Sequence, residues 1–344
     1  NDSMESEIVV AGYSSNQDNF YIFSSDGILI DQIEVLEKIK SGFAIADIDE
    51  NGYDDIVFGT DDDNLYLIND GSQIAAGFPF EGDDKFNYKP LIIKYPEELT
   101  ANNYQIIASS KNIIYGLDKF GDINFQTEFN EDLSTSPSVL VSQSELKIFL
   151  GSENGDIYWL DNNGESHFFK NINSEVIGEI VFSDLDNDLI PELIAVNDLG
   201  EIHVLNINGE YYQNFPLDYN FPFSSAPLIY DLDNDGDLEI IAGTTNSIVA
   251  VDVKNLGTTD NYWSIFSNGF QRSSCFEYFP NCITGDVNQD YVINVLDVVS
   301  LVNIIFYNDS ISSNILCVSD INNDNFVNVQ DIILLVDSIF SNVN

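Results

Sequence analysis

Residues 55–71 read DIVFGTDDDNLYLINDG. Two short apolar runs flank an acidic turn, and a second, glycine-bearing turn follows, so the stretch spells strand, turn, strand, turn. Its second half recurs six times, starting at Asn19, Asn64, Asn112, Asp156, Glu201 and Ser247, with spacings of 45, 48, 44, 45 and 46 residues. Ahead of five copies stands a strand such as DIVFG, QIIAS, KIFLG, ELIAV or EIIAG. Further upstream stands another, such as FAIAD, PLIIK, PSVLV, EIVFS or PLIYD. A fourth strand follows the turn, ending in GFPF or NFPL in two copies.

A unit near 46 residues with four strand signals matches one blade of a β-propeller better than part of a sandwich or solenoid. The chain is therefore expected to be mainly β over residues 1–270, with about six four-stranded blades. The first unit has its second strand at Glu7–Gly12 but no first strand. That predicts an incomplete first blade, or further blades ahead of Asn1. Tyr262, Trp263 and Phe266 are expected to end the last blade, with a linker over 271–281. Helical spacing begins only near residue 295, which predicts a small helical domain over 282–344.

Across 344 residues, 44% hydrophobic and 12% aromatic content supports a packed core. Charge is extreme: 58 Asp and Glu oppose 11 Lys and Arg, a net −47. Such a surface repels nucleic acid and anionic membranes and attracts cations. Apolar runs fall short of the roughly 18 residues that span a bilayer, so neither nucleic-acid binding nor membrane insertion is expected. A mature form or a fragment of a secreted or cell-surface protein fits this composition.

Three units place an acidic loop between their first two strands. DIDENGYDD supplies Asp47, Asp49, Asn51 and Asp55; DLDNDLIPE supplies Asp184, Asp186, Asp188 and Glu192; DLDNDGDLE supplies Asp231, Asp233, Asp235 and Glu239. These are oxygen donors at positions 1, 3, 5 and 9, and a position-7 carbonyl can add another. Several carboxylates packed this closely repel one another unless a cation is present. Oxygen-only donors without Cys or His point to Ca²⁺ rather than zinc or copper. The pattern resembles the FG-GAP repeats of integrin α-subunit propellers and of many secreted bacterial proteins, over roughly residues 1–270. The corresponding loops near Lys94–Asn103 and Ser142–Leu146 lack the spacing, and no metal is expected there. Pro191, and Leu189 where glycine is usual, set the second loop apart.

The last 60 residues change character. DVNQDYVINVLDVVSLVNIIF (286–306) and DINNDNFVNVQDIILLVDSIF (320–340) agree at ten of 21 positions. Each begins with a 12-residue loop. The donors are Asp286, Asn288, Asp290, Asn294 and Asp297, with the carbonyl of Val292, then Asp320, Asn322, Asp324, Asn328 and Asp331, with that of Phe326. Val298, Leu301, Val302 and Ile305, then Ile332, Leu335, Val336 and Ile339, follow at helical spacing. Each copy is thus a calcium loop running into a helix. The pair resembles a type I dockerin over about residues 282–342, which implies calcium-dependent folding and a cohesin-like protein partner. Position 6, usually glycine, is Tyr291 and Asn325. Positions 10 and 11, which help a dockerin select its cohesin, are Val295 with Leu296 and Val329 with Gln330.

Cys282 and Cys317 precede their loops by four and three residues. This near-equivalence favours a Cys282–Cys317 bridge, with Cys275–Cys282 as the alternative. The histidines, His167 and His203, stand on or near strands and are expected to be structural. No nucleophile elbow or phosphate-cradling glycine loop occurs. The composite expectation is a non-catalytic adhesion or binding module facing a protein or glycan, with an attachment tail. The alternatives are a propeller-type polysaccharide-degrading enzyme, or the accessory part of a larger secreted hydrolase.

Overall fold

The computed structural model describes residues 7–12, 19–70, 73–95, 103–142, 145–188, 190–259, 262–269, 272–278, 284–288, 293–307, 313–322 and 326–341. The chain divides into two compact units. One comprises 1–142 and 146–278; the other comprises 279–344 together with 143–145.

Among the described residues the larger unit is a succession of six sheets in chain order, antiparallel except for one late strand added to the third. The first holds β1 (Glu7–Ala11), β2 (Asn19–Ser24) and β3 (Leu29–Glu34). The second holds β4 (Ala44–Ala46), β5 (Asp55–Gly59), β6 (Asn64–Asn69) and β7 (Gln73–Ile74), with β8 (Phe80–Glu81) also on β6. The third holds β9 (Leu91–Lys94), β10 (Tyr104–Ser110), β11 (Ile113–Leu117) and β12 (Ile123–Glu128). The fourth holds β13 (Ser138–Ser142), β14 (Glu145–Gly151), β15 (Asp156–Leu160) and β16 (Ser166–Asn171). The fifth holds β17 (Val176–Ser183), β18 (Glu192–Asn197), β19 (Glu201–Asn206) and β20 (Leu217–Asp218). The sixth holds β21 (Leu228–Tyr230), β22 (Asp237–Gly243) and β23 (Ile248–Leu256).

The middle strands are buried on both faces and so read as continuous apolar runs rather than as alternation. β5, β10 and β18 are buried along their whole length. Apolar layers join neighbouring sheets. Phe20, Ile22, Phe58 and Tyr66 fill the first, Val57, Leu65, Ile106 and Tyr115 the second, and a larger cluster runs from Leu91 to Tyr278. First strands of successive sheets run side by side, β4 with β9, β13 with β17 and β17 with β21. Gly178 permits the last approach: its φ is +76°, and a Cβ there would lie 2.4 Å from the Ala226 nitrogen.

The end of the larger unit differs from expectation. The described residues 262–269 and 272–278 lie along the first strands of four sheets, where an end to the last blade and a linker over 271–281 are expected. Trp263 O accepts from Phe182 N (2.9 Å), Ser264 O from Ile229 N (2.9 Å), Ser273 O from Ile45 N (2.7 Å) and Ser274 O from Ile92 N (2.9 Å). Cys275–Glu277 forms β24, parallel to β9. The physical reason is edge satisfaction. The first strand of a sheet has an unpaired edge whose N–H and C=O groups need partners once buried.

In the smaller unit α1 (Val295–Tyr307) and α3 (Val329–Ser341) pack around buried Val287, Leu301 and Leu335. A short α2 (Ser313–Ser319) precedes the second loop and was not foreseen. Asn294 and Asn328 cap α1 and α3, their Oδ1 atoms accepting from Leu296 N and Gln330 N at 2.8 Å. Cys317 is disulfide-bonded. Cys275 is a free thiol, which removes the Cys275–Cys282 alternative; Cys282 lies outside the described residues.

Candidate metal centres

The three acidic loops share one hydrogen-bond frame. In each, the position-9 carboxylate accepts from the position-2 N–H: Asp55 from Ile48 (2.9 Å), Glu192 from Leu185 (2.9 Å) and Glu239 from Leu232 (2.7 Å). Position 1 accepts from the backbone that turns back over it: Asp47 from Asn51 N (3.0 Å), Asp184 from Asp188 N (3.1 Å) and Asp231 from Asn234 N (2.7 Å). Position 4 is left-handed in all three, with φ of 61° at Glu50, 58° at Asn187 and 60° at Asn234. Those turns draw the carboxylates together.

Ligand atoms of Asp47, Asp49 and Asp55 lie within 4.8 Å of one another, as do those of Asp184, Asp186 and Glu192, and those of Asp231, Asp233 and Asp235. A further triad, Asp233, Asp237 and Glu239, overlaps the third. Burial pushes the Asp55 carboxyl up to about 6, and Asp49 adds to the rise. It pushes Glu192 up to about 8, with Asp186, Asp184 and Asp188 adding. These carboxylates are held in a place that disfavours their charge, which a bound cation would relieve.

Two position-5 residues are not drawn fully in. Asp188 stays outside the second triad, and its Oδ1 accepts from Ile190 N. Asn51 gives its amide N–H to Asp70 (2.7 Å), while its Oδ1 accepts from Tyr53 N. Asp237, at position 7 of the third loop, is a donor the sequence pattern missed because a backbone carbonyl was expected there. Its side chain is buried and Oδ1 has no hydrogen-bond partner. Oxygen-only donors with an orphaned buried carboxylate oxygen fit a hard divalent cation.

The C-terminal loops also repeat one frame. Asp297 accepts from Asn288 N (3.0 Å) and Asn294 N (2.7 Å); Asp331 accepts from Asn322 N (3.4 Å) and Asn328 N (2.8 Å). Asp286, Asp297, Asp320 and Asp331 are buried. Asn328 Nδ2 donates to Phe326 O at 3.2 Å. Asp290, Val292 and Asp324 lie outside the described residues.

The histidines have structural surroundings. His167 stacks on Trp159, ring centroids 4.0 Å apart. His203 occupies the strand register at which Tyr66, Tyr115 and Tyr158 stand. Those tyrosines donate to Glu37, Asp83 and Glu131, which precede their sheets. His203 is buried between Asn197, Glu201 and Tyr211, and burial lowers its pKa.

Glu179 was not foreseen. Its Oε2 accepts from Trp263 Nε1 (3.0 Å) and Ser267 N (2.6 Å), while Oε1 has no partner. Burial raises its carboxyl to about 7, against the opposing pull of Lys89. Lys89, its ammonium 2.5 Å from Arg272 O, is lowered by burial to about 8, with Arg272 adding to the fall. Because the Glu179 pKa is raised on folding, the folded state holds a proton that the unfolded chain releases between about 4.5 and 7. Stability from this group is therefore present at low pH and lost as pH rises through that window. Glu179→Gln keeps both N–H bonds and removes the charge. The variant's denaturant midpoint relative to the native chain is expected to rise from pH 5 to pH 7.5. A gap independent of pH would contradict this.

No family model and no curated protein matches the chain. Among solved structures it is similar to BBS1N in a crystal structure of its complex with ARL6DN soaked with lead. The TM-score is 0.51 and the identity 12%, covering 75% of this chain and 78% of that one. A mercury-soaked crystal of the same complex gives a TM-score of 0.49 at 12% identity, over 74% and 76% of the two chains. BamB from Moraxella catarrhalis gives 0.34 at 12% identity, over 72% and 96%. The first of these likenesses carries the fold alone: the chain is mainly β and propeller-like.

Proposed function

We propose that this chain is a secreted, calcium-binding, non-catalytic binding module. In this reading the six sheets are the blades of a propeller whose first blade lacks a strand. Three blade loops each hold Ca²⁺, and the propeller presents a surface to a protein or glycan. The C-terminal unit is a dockerin-like attachment tail for a cohesin-like or cell-surface protein. The observation that carries the reading is the threefold hydrogen-bond frame, which gathers carboxylates at one place in three separate sheets.

Several features support it. Calcium takes six to eight oxygens in flexible geometry, and extracellular sites of this kind bind at roughly 10⁻⁴–10⁻³ M. Such sites fill outside a cell and stay empty in cytosol. A disulfide-bonded Cys317 accords with an oxidising compartment. Val295, Leu296 and Val329, at the starts of α1 and α3, are more than half exposed, as a protein-docking face would need. The similar BBS1N structure is itself a protein complex.

Single substitutions test the loops. Asp47→Ala, Asp184→Ala and Asp231→Ala should each lower bound calcium by about one ion, with hydrogen exchange rising in the mutated loop alone. Unchanged calcium uptake in all three would overturn the reading. Immobilised cohesin modules test the tail: capture should occur with calcium and vanish with chelator. Equal capture under both conditions would count against calcium-dependent attachment.

A further inference from the structure

We propose that Asn69, which lies outside the first acidic loop, is an additional ligand of the ion held there; this rests on that loop being a calcium site. Three observations lead to it. The first is register. β5 and β6 pair with Ile56 opposite Ile68, so Asp55 and Asn69 are the next facing residues and project from the same side of the sheet. The other acidic sheets repeat this: Glu192 faces Asn206, and Glu239 faces Asp252. Position 9 of every acidic loop is thus matched by an oxygen-bearing side chain on the third strand.

The second observation is an unmet oxygen. Asn69 Oδ1 is buried and has no hydrogen-bond partner. Elsewhere the same register is satisfied locally: in the third acidic sheet Asp252 Oδ1 accepts from Lys254 N (3.3 Å), and the same holds where the loops are not acidic. Asp118 Oδ1 accepts from Phe120 N (2.8 Å) and Asp122 N (3.0 Å), and Asp161 Oδ1 from Asn163 N and Glu165 N (both 2.9 Å). Facing positions there are Gln105 and Lys147, not carboxylates. With no donor holding its oxygen, the Asn69 amide is not fixed in one orientation.

The third observation is geometry. Asp49, Asp55, Asn69 and Lys119 line one cavity of about 280 Å³. Asn69 Nδ2 stands 3.5 Å from Asp49 Oδ2, at the limit of a hydrogen bond. Two oxygens each about 2.4 Å from Ca²⁺, set at a right angle, are about 3.4 Å apart. Half a turn of the amide puts Oδ1 in place of Nδ2, at the separation two ligands of one ion adopt. The poor amide-to-carboxylate contact becomes a pair of coordinating oxygens.

The test follows calcium-dependent hydrogen-exchange protection of residues 47–55 in the full chain as free calcium is raised. Asn69→Leu removes the oxygen at similar size and should move the midpoint to about tenfold higher calcium. Asn69→Asp adds charge to the donor set and should move it to lower calcium. Circular dichroism checks folding, and if the Leu variant is unfolded the Asp variant decides alone. Midpoints unchanged in the folded variants, while Asp47→Ala abolishes the protection, would overturn the role of Asn69 and leave the loop site standing. Protection that survives Asp47→Ala would overturn both.

Discussion

Addition of a calcium chelator is expected to unfold the C-terminal unit and leave the larger unit folded. Among the described residues the smaller core clusters on buried Val287, Leu301 and Leu335, with Val318 also buried and residues such as Val298, Ile305 and Ile332 partly covered. A core of that size rarely supplies more than roughly 3–5 kcal/mol. Against it stand four buried carboxylates among the described residues: Asp286, Asp297, Asp320 and Asp331. Asp297 and Asp331 each hold backbone N–H groups from both ends of their loop, so the helix starts depend on the loop conformation. Metal-binding free energy here becomes folding free energy. Asp286→Ala or Asp320→Ala should reproduce the effect in this unit alone. Amide exchange of α1 and α3 is the readout; protection unchanged after calcium removal would defeat the expectation.

Trp263→Ala should destabilise the larger unit by about 3–5 kcal/mol, far more than any single loop-carboxylate substitution. Trp263 is fully buried and belongs to the main core cluster. Truncation opens a large cavity and leaves the buried Glu179 with one donor fewer. It also loosens the segment whose backbone pairs with Phe182 and Ile229. Trp263→Phe keeps much of the bulk and loses the N–H, so it should cost about 1–3 kcal/mol. Guanidinium unfolding of the two variants measures the difference. A cost under about 1 kcal/mol for the Ala variant would mean that this segment is not an integral part of the core.

The repeated strands were legible because period and turn chemistry are local. DIVFG and LYLI are β5 and part of β6, and the three loops lie where the strand pairs put them. The path of residues 262–269 and 272–278 was not legible, because pairing to first strands is a long-range matter of which edges remain unmet. One compositional sign was present: residues 262–276 contain no Asp or Glu, in a chain with 58 of them. A stretch so free of acid is poorly suited to an exposed linker on such a surface. Glu179 and Lys89 were hidden for the converse reason, since a lone acid or base in an apolar run says nothing of its partner 90 residues away. The place of Asp237 in an acidic cluster and the role proposed for Asn69 were not legible, because position counting within a loop sees neither an unusual position-7 side chain nor the strand opposite.

Calcium counting on the intact chain tests the central claim most directly. Equilibrium dialysis against millimolar calcium at about 0.15 M salt, where long-range attraction to the acidic surface is largely screened, should saturate near five ions per chain. Three belong to the loops at Asp47, Asp184 and Asp231, and two to those at Asp286 and Asp320. Uptake that never saturates, or that disappears as salt is raised, would show diffuse attraction to a chain of net charge −47 and contradict the built sites.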